Sequence, residues 1–285
     1  MTRSDLLHFA VSDPITDMAA ELNKKGVVIV DGFLRGDALD RFNNELTPLL
    51  EGQSTVRPFM NEHIAGFFGD RTRHLTGLPA KSDVFAEEVL CHPVYMGVCD
   101  KILGPNCGSF QLNLAHIIDR GPGGQRQPLH RDEDIWPRIG DGKTALMLAS
   151  ILALGAFTPE LGSTLVVPGS HVWPRDRKAK PDEIVATQME PGSALIYVGS
   201  TLHAGGANSH PLEWRRALHI SYCVGWLRTE ENHCLATPIE RMRSLPINAQ
   251  ALLGFGAHDA IKLGYGYLGS VDLQCPIDLL AAGEL

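Results

Sequence analysis

"LIYVGSTLHAGGANSHPLEWRRALHISY", residues 195–222, is the stretch whose reading decides the fold. It begins as an apolar run, Leu195 to Val198, and carries His203 into a turn of Gly205, Gly206 and Asn208. A second run opens at Arg215 and Arg216 and continues through "ALHISY". Short apolar or alternating runs bounded by Gly and Asn predict strands joined by turns. The same texture starts near residue 107, in "GSFQLNLAHIID" (108–119), "TALMLASILAL" (144–154), "STLVVPG" (163–169) and "DEIVATQM" (182–189). Strands at this density predict a mainly β core, rolled into a sandwich or barrel.

Working outward, the flanks read differently. Residues 14–24, "PITDMAAELNK", have a helical pattern, and "KGVVIVDGFL" (25–34) a strand and a turn. In "RGDALDRFNNELTPLLE" (35–51), Leu39, Phe42, Leu46 and Leu49–Leu50 fall at helical spacing, with Asp37 as the expected cap. Residues 51–82 read as an irregular, mobile loop region, and 82–104 as a helix interrupted near Pro93. The chain is therefore read as a single domain: a helical N-terminal layer (1–106), the β core (107–228) and a C-terminal cap (229–285).

Composition narrows the function. The 285 residues carry a formal charge of −8 and no block of Lys or Arg, which argues against a nucleic-acid partner. The longest apolar run, "ALMLASILALGAF" (145–157), is flanked by expected turns, "GDGK" (140–143) and "TPELG" (158–162). It falls short of the about 20 residues that a membrane span takes. It reads as a strand buried on both faces. The opening "MTRSDLLHFAVSD" lacks the apolar centre of a signal peptide, and the six cysteines form no CxxC pair. Reduced thiols and a cytoplasmic location follow as expectations.

The candidate chemistry lies in two places. "QRQPLHRDEDIW" (125–136) holds His130 and Asp132. On an extended chain, residues two apart face the same side, so an imidazole and a carboxylate can reach one ion. By itself this pair is a weak signal in a chain with 12 histidines. His203 strengthens it, because two His and one carboxylate form the facial triad of non-heme Fe(II) oxygenases. The hairpin after His203 returns with an arginine, whose fork can grip a carboxylate through two hydrogen bonds. An Fe(II) oxygenase using 2-oxoglutarate needs that cation for the far end of its co-substrate. Strand alternation lets only one of Arg215 and Arg216 face inward.

These segments resemble the phytanoyl-CoA dioxygenase family of Fe(II)/2-oxoglutarate-dependent oxygenases, and within it the subgroup acting on terpenoid and alkaloid scaffolds. The likeness is carried, in order, by "NKKGVVIVDGFLRGDALDRFNNEL", "QPLHRDED", "ELGSTLVVPGSHVW", "HAGGANS" with "RRALHISY", and "RSLPINAQALLGFG". It implies a double-stranded β-helix, a cupin-like jelly roll, with the site in its mouth. It implies His130, Asp132 and His203 as iron ligands, and Gln127, Thr164 and Arg215 as 2-oxoglutarate contacts. Arg215 is favoured because family members place this arginine seven residues before an aromatic, here Tyr222. Tyr222 itself is a candidate for radical or hydrogen-bond chemistry, set against a packed core tyrosine. The implied reaction consumes O2 and 2-oxoglutarate, releases succinate and CO2, and oxidises a C–H bond of a small apolar molecule. Asp132 favours oxygenation, since related halogenases have a small residue there. The resemblance also implies a homodimer joined through the C-terminal segment. Two alternatives remain at this point: a cupin-type metalloprotein that does not use 2-oxoglutarate, and a non-catalytic binding relative.

The remaining candidates carry bland expectations. His171 is read as structural; His219, whose strand parity can point it inward, is read as a hydrogen-bonded core residue, and His116 either lines the cavity or packs. Glu133 and Asp134 are expected to be solvated or paired with Arg131. Trp136 either walls the substrate pocket or packs.

Overall fold

A computed structural model describes residues 6–136, 144–259, 264 and 266–285. The turn expected at 140–143 lies outside the described residues. The first elements are β1 (His8–Ala10), α1 (Ile15–Lys25), β2 (Val27–Asp31), α2 (Asp37–Glu51), α3 (Glu62–Phe68), β3 (Thr72–Leu75) and α4 (Pro93–Ile102). The core strands follow: β4 (Phe110–Arg120), β5 (Met147–Ala153), β6 (Thr164–Val166), β7 (Val185–Ala186), β8 (Ala194–Val198), β9 (His203–Gly205) and β10 (Arg215–Val224). Short helices, among them Ile239–Ser244 and Pro276–Ala282, close the chain.

The strands form two sheets. The larger has seven strands in the order β1-β2-β8-β5-β10-β4-β3, and the smaller has three, β7-β6-β9. Apart from the parallel pair of β1 with β2, every ladder is antiparallel. The two sheets roll over a shared interior, which is the expected jelly roll, covered by helices on one side.

Alternation along the strands builds two cores. One face of the large sheet sends Val28, Val30, Leu148, Leu152, Ile196, Leu218 and Ile220 against Leu22 of α1, Phe42, Leu46 and Leu50 of α2, and Val98 of α4. The other face sends Val27, Ile29, Met147, Ala149, Ile151, Leu195 and Tyr197 toward Phe157, Val166 and Met189. Each large aliphatic side chain buried this way contributes about 1.5–3 kcal/mol. A one-residue slip of β5 or β10 would exchange the two sets, so the register is firmly specified. All seven residues of β5 are buried, as the unbroken apolar run predicts for a central strand.

Three local expectations change. Gly36, at φ 54°, occupies the cap of α2, and Asp37 instead binds Arg41 one turn on, Nε to Oδ2 2.7 Å. Residues 51–82 are not merely loop: they contain α3, and β3 pairs with β4 at the edge of the large sheet. The N-terminal layer accordingly supplies three strands besides its helices.

The turn from α1 into β2 requires its glycine. Gly26 sits at φ 74°, and its N–H caps the helix on the Leu22 carbonyl. A Cβ there would lie 2.5 Å from His171 Nδ1. His171 donates from Nε2 to the Asn23 carbonyl at 3.0 Å, a structural clamp on this corner. Among the described residues no helix is long and apolar enough to cross a membrane, and no disulfide links the six cysteines.

Candidate metal centre

His130 lies in the loop that follows β4, and His203 opens β9. The two are reciprocal backbone partners: His130 N–H donates to the His203 carbonyl and His203 N–H to the His130 carbonyl, both at 3.0 Å. This isolated bridge brings both imidazoles to one end of the roll. Asp132, two residues past His130, starts a short 3-10 turn, and its carboxylate swings into the same space.

One ligand atom each from His130, Asp132 and His203 lies within 4.8 Å of the other two. Asp132 Oδ1 stands 3.5 Å from His130 Nε2 and 3.4 Å from His203 Nε2. The opposite ring nitrogens are already engaged. His130 Nδ1 lies 3.0 Å from the Pro128 carbonyl, and His203 Nδ1 3.1 Å from the Thr201 carbonyl. A carbonyl can only accept, so the proton sits on Nδ1 in each neutral ring, and each Nε2 presents a lone pair toward Asp132. Two lone pairs and a carboxylate converging without a proton between them form a cation site. The donor set fits an intermediate transition metal with open positions.

The second carboxylate oxygen is held elsewhere. Tyr197 donates its hydroxyl to Asp132 Oδ2 at 3.0 Å, and His219 Nε2 lies 3.4 Å from the same atom. Tyr197 is fully buried on β8. Desolvation, and then the nearby Asp132 charge, push its pKa well above 10, so it stays a donor. Desolvation alone would raise the Asp132 pKa. Positive charge and N–H donation from His203, His130 and His219, when those rings carry the protons that a bound cation would displace, outweigh it and hold the carboxyl well below its usual range. Oδ1 is thus the oxygen left to face the metal.

The triad opens onto a cavity of about 420 Å³. Phe67 and Phe68 of α3, Leu114 and Ile118 of β4, and Ile151 of β5 supply apolar wall. Beyond the triad, Arg215, Arg120, Gln127 and Thr164 line it as well. The Arg215 side chain is buried and lies 5.2 Å over the Phe157 ring. Its Nη2 donates to the Gly162 carbonyl at 3.0 Å, and its Nε has no partner. Burial, helped by neighbouring Arg120, pushes its pKa down to about 9. Arg216 turns to the other face, where it donates to Thr47 Oγ1 of α2 at 2.9 Å and approaches Asp119. Gln127 accepts from Gly205 N–H through Oε1 at 2.8 Å, which ties the loop after β4 to β9. The Thr164 side chain lies across from Gly205 in the small sheet.

Several expectations need correcting. Tyr222 does not reach the cavity: it is buried on the helix-facing side and donates to the Leu90 carbonyl at 2.7 Å. The cause is the alternation that admits Arg215, since residues seven apart on a strand lie on opposite faces. Glu133 is not solvated. It is buried and accepts from Leu146 and Met147 N–H through Oε1, at 3.1 and 3.2 Å, where β5 begins. Burial raises its pKa to about 7, against those two bonds and Arg175. Asp134 is exposed, as expected, and also pairs with Arg175, and Arg131 donates to the Ser200 carbonyl. Trp136 packs against the inner core and donates to the Arg228 carbonyl at 2.9 Å. His116 and His219 both line the cavity, and His219 touches the triad carboxylate. Arg120 and Tyr197 are the site residues that sequence reasoning missed. Arg120 shares the parity of His116 on β4, and Tyr197 lies inside the apolar run "LIYV", but neither segment by itself marks the residue as part of the site.

With this geometry, comparison with known proteins is specific. The phytanoyl-CoA dioxygenase (PhyH) family model matches residues 22–217. The chain belongs to the PhyH family. Among curated PhyH-like relatives, dioxygenase aneA of Aspergillus aculeatus is 32% identical over 267 residues, covering 89% of this chain and 88% of its own. Dioxygenase trt7 of Aspergillus terreus is 33% identical over 243 residues, covering 83% and 82%. The solved structure of the epimerase SnoN, in complex with Fe3+, alpha ketoglutarate and nogalamycin RO, superposes with a TM-score of 0.58 at 20% identity. That match covers 74% of this PhyH chain and 84% of SnoN, and it shows a shared fold.

Proposed function

We propose that this PhyH-family dioxygenase binds Fe(II) and 2-oxoglutarate and oxidises an unactivated C–H bond of a small, largely apolar molecule in secondary metabolism. One observation carries the reading: three metal-ligating side chains converge at a cavity that also holds a buried guanidinium without a carboxylate partner. A dicarboxylate fits that pairing, with one end at the metal and the other at the arginine.

In this reading His130, Asp132 and His203 hold the metal, and Asp132 binds through Oδ1 while Tyr197 and His219 keep Oδ2. Arg215 takes the far carboxylate of 2-oxoglutarate, and Thr164 and Gln127 border it. When bound, Fe(II) with 2-oxoglutarate and O2 would supply the oxidising power: 2-oxoglutarate would leave as succinate and CO2, with one atom of O2 entering succinate and the other available to oxidise the substrate. The protein supplies orientation and a dry wall. Phe67, Phe68, Leu114, Ile118 and Ile151 exclude water and favour an apolar substrate. Six cysteines with no disulfide among them favour a reducing compartment such as the cytoplasm. A homodimer joined through the C-terminal segment, where Leu235 and Leu273 are exposed, completes the proposal, and light scattering tests it.

The deciding experiment is an anaerobic titration of the Fe(II) protein with 2-oxoglutarate, watching for the visible charge-transfer band of the chelate. The band and O2-dependent succinate release support the reading. Metal binding without either would favour a cupin-type metalloprotein instead.

A further inference from the structure

The cavity wall contains one polar feature that neither the metal nor an anion uses. His116 on β4 lines the cavity, and its Nε2 lies 2.7 Å from Nδ1 of His74 on β3. The two rings stack with centroids 4.8 Å apart, and Phe68 packs edge-on to both. Burial holds both rings neutral: the His74 pKa falls to about 4, and that of His116 falls well below its usual value.

Neutral rings sharing one hydrogen bond permit two arrangements. If His116 donated, the His74 proton would sit on Nε2, which is buried and has no partner. An orphaned buried N–H is rarer than an orphaned acceptor. The favoured arrangement has His74 donating from Nδ1. His116 then accepts at Nε2 and carries its own proton on Nδ1, for which the described residues provide no partner. His63 of α3 also lines the cavity but is exposed, and two further polar side chains of the wall are engaged. Glu230 accepts from Asn113 Nδ2 at 2.6 Å, and His219 faces Asp132. His116 and His219 are cross-strand partners, so a molecule anchored at His116 lies beside the triad.

We propose that His116 is a substrate-recognition residue, donating from Nδ1 to an oxygen of an otherwise apolar molecule. The ligand class is a hydrocarbon frame carrying a carbonyl, ether or hydroxyl, with its remaining surface against Phe67, Phe68, Leu114 and Ile118. His74 acts through His116, as the residue that fixes its tautomer. This rests on the oxygenase reading above and narrows its substrate.

The test uses matched probes: camphor against its hydrocarbon bornane, and androstanone against androstane. Each is measured by anaerobic equilibrium dialysis with the Fe(II)- and 2-oxoglutarate-loaded protein. One neutral hydrogen bond is worth about tenfold. The expected result is a ketone preference of about that size, lost in His116→Phe and largely kept in His116→Asn, whose amide also donates. The chelate band should remain in both variants. Hydrocarbons bound as tightly as ketones, an unchanged preference in His116→Phe, or no saturable binding of either ketone would each overturn the proposal. A wild-type protein that forms no chelate band fails the oxygenase reading instead, and the two failures are thereby told apart.

Discussion

Arg120 and Arg215 are direct partners across β4 and β10, and both guanidiniums line the same cavity. Both are buried, both keep an Nε without a partner, and burial pushes their pKa values down to about 10 and about 9. Arg120 also donates to the Gln125 and Gly206 carbonyls, at 2.6 and 2.8 Å, bracing the two loops that carry the triad histidines. Two like charges side by side in a poorly solvated place are costly unless an anion joins them.

The first expectation concerns that anion. Removing a buried charge from such a contact costs about 2–5 kcal/mol, or roughly 30-fold and upward in affinity. Arg215→Ala is expected to weaken 2-oxoglutarate binding by at least that much, and Arg120→Met by an intermediate amount. Arg216→Ala, on the helix-facing side, should cost at most about fivefold. Anaerobic titration of the chelate band gives the order, and a larger loss in Arg216→Ala than in Arg215→Ala would reverse the assignment.

Asp132 is the one carboxylate of the triad. Asp132→Ala is expected to abolish iron-dependent turnover of 2-oxoglutarate, read as succinate release. His171→Ala should retain iron, since that ring clamps the α1–β2 corner. Wild-type turnover in the first variant, or metal loss in the second, would redraw the ligand set.

Tyr197 orients Asp132 without being a ligand. Loss of such a supporting hydrogen bond typically costs about 10–100-fold in metal affinity. Tyr197→Phe keeps the ring packing and removes only the hydroxyl. Fe(II) affinity measured by competition with a chelator should fall within that range, and an unchanged affinity would mean that Oδ2 needs no holder.

Acid should destabilise the fold in a defined window. The His74 pKa falls from an ordinary 6.5 to about 4, mainly through burial and then through Arg57 and Arg120. The unfolded chain therefore binds more protons between those limits, and stability is lost as pH falls from 6.5 toward 4. For His74 this is about 3 kcal/mol at most. Urea midpoints measured across that range should slope less in His74→Asn than in wild type. His92 and His233, also held near 4 by burial, keep a residual slope.

His130 and Asp132 are legible in the sequence because their spacing is local, and His203 because it sits beside a Gly/Asn turn that leads into a strand-borne arginine. Arg215 is legible through its hairpin and strand parity. Arg120 and Tyr197 are not, because their roles arise only when β4, β8 and β10 lie side by side, and pairings across the sheet leave no mark on a single segment. The same holds for β3: "TRHL" is too short and too charged to announce itself, and only its ladder with β4 makes it a strand. Tyr222 shows the reverse error, where a likeness in spacing outweighed the alternation that Arg215 had already set.

That alternation makes the length of β10 as important as its composition. Inserting or deleting one residue between Ala217 and Ser221 would carry the Tyr222 phenol into the cavity or swing the Arg215 guanidinium onto α2. Substitutions along this strand adjust one contact at a time. A one-residue indel there would exchange the inside of the barrel for its outside, so only changes that keep the chain count leave both faces in place.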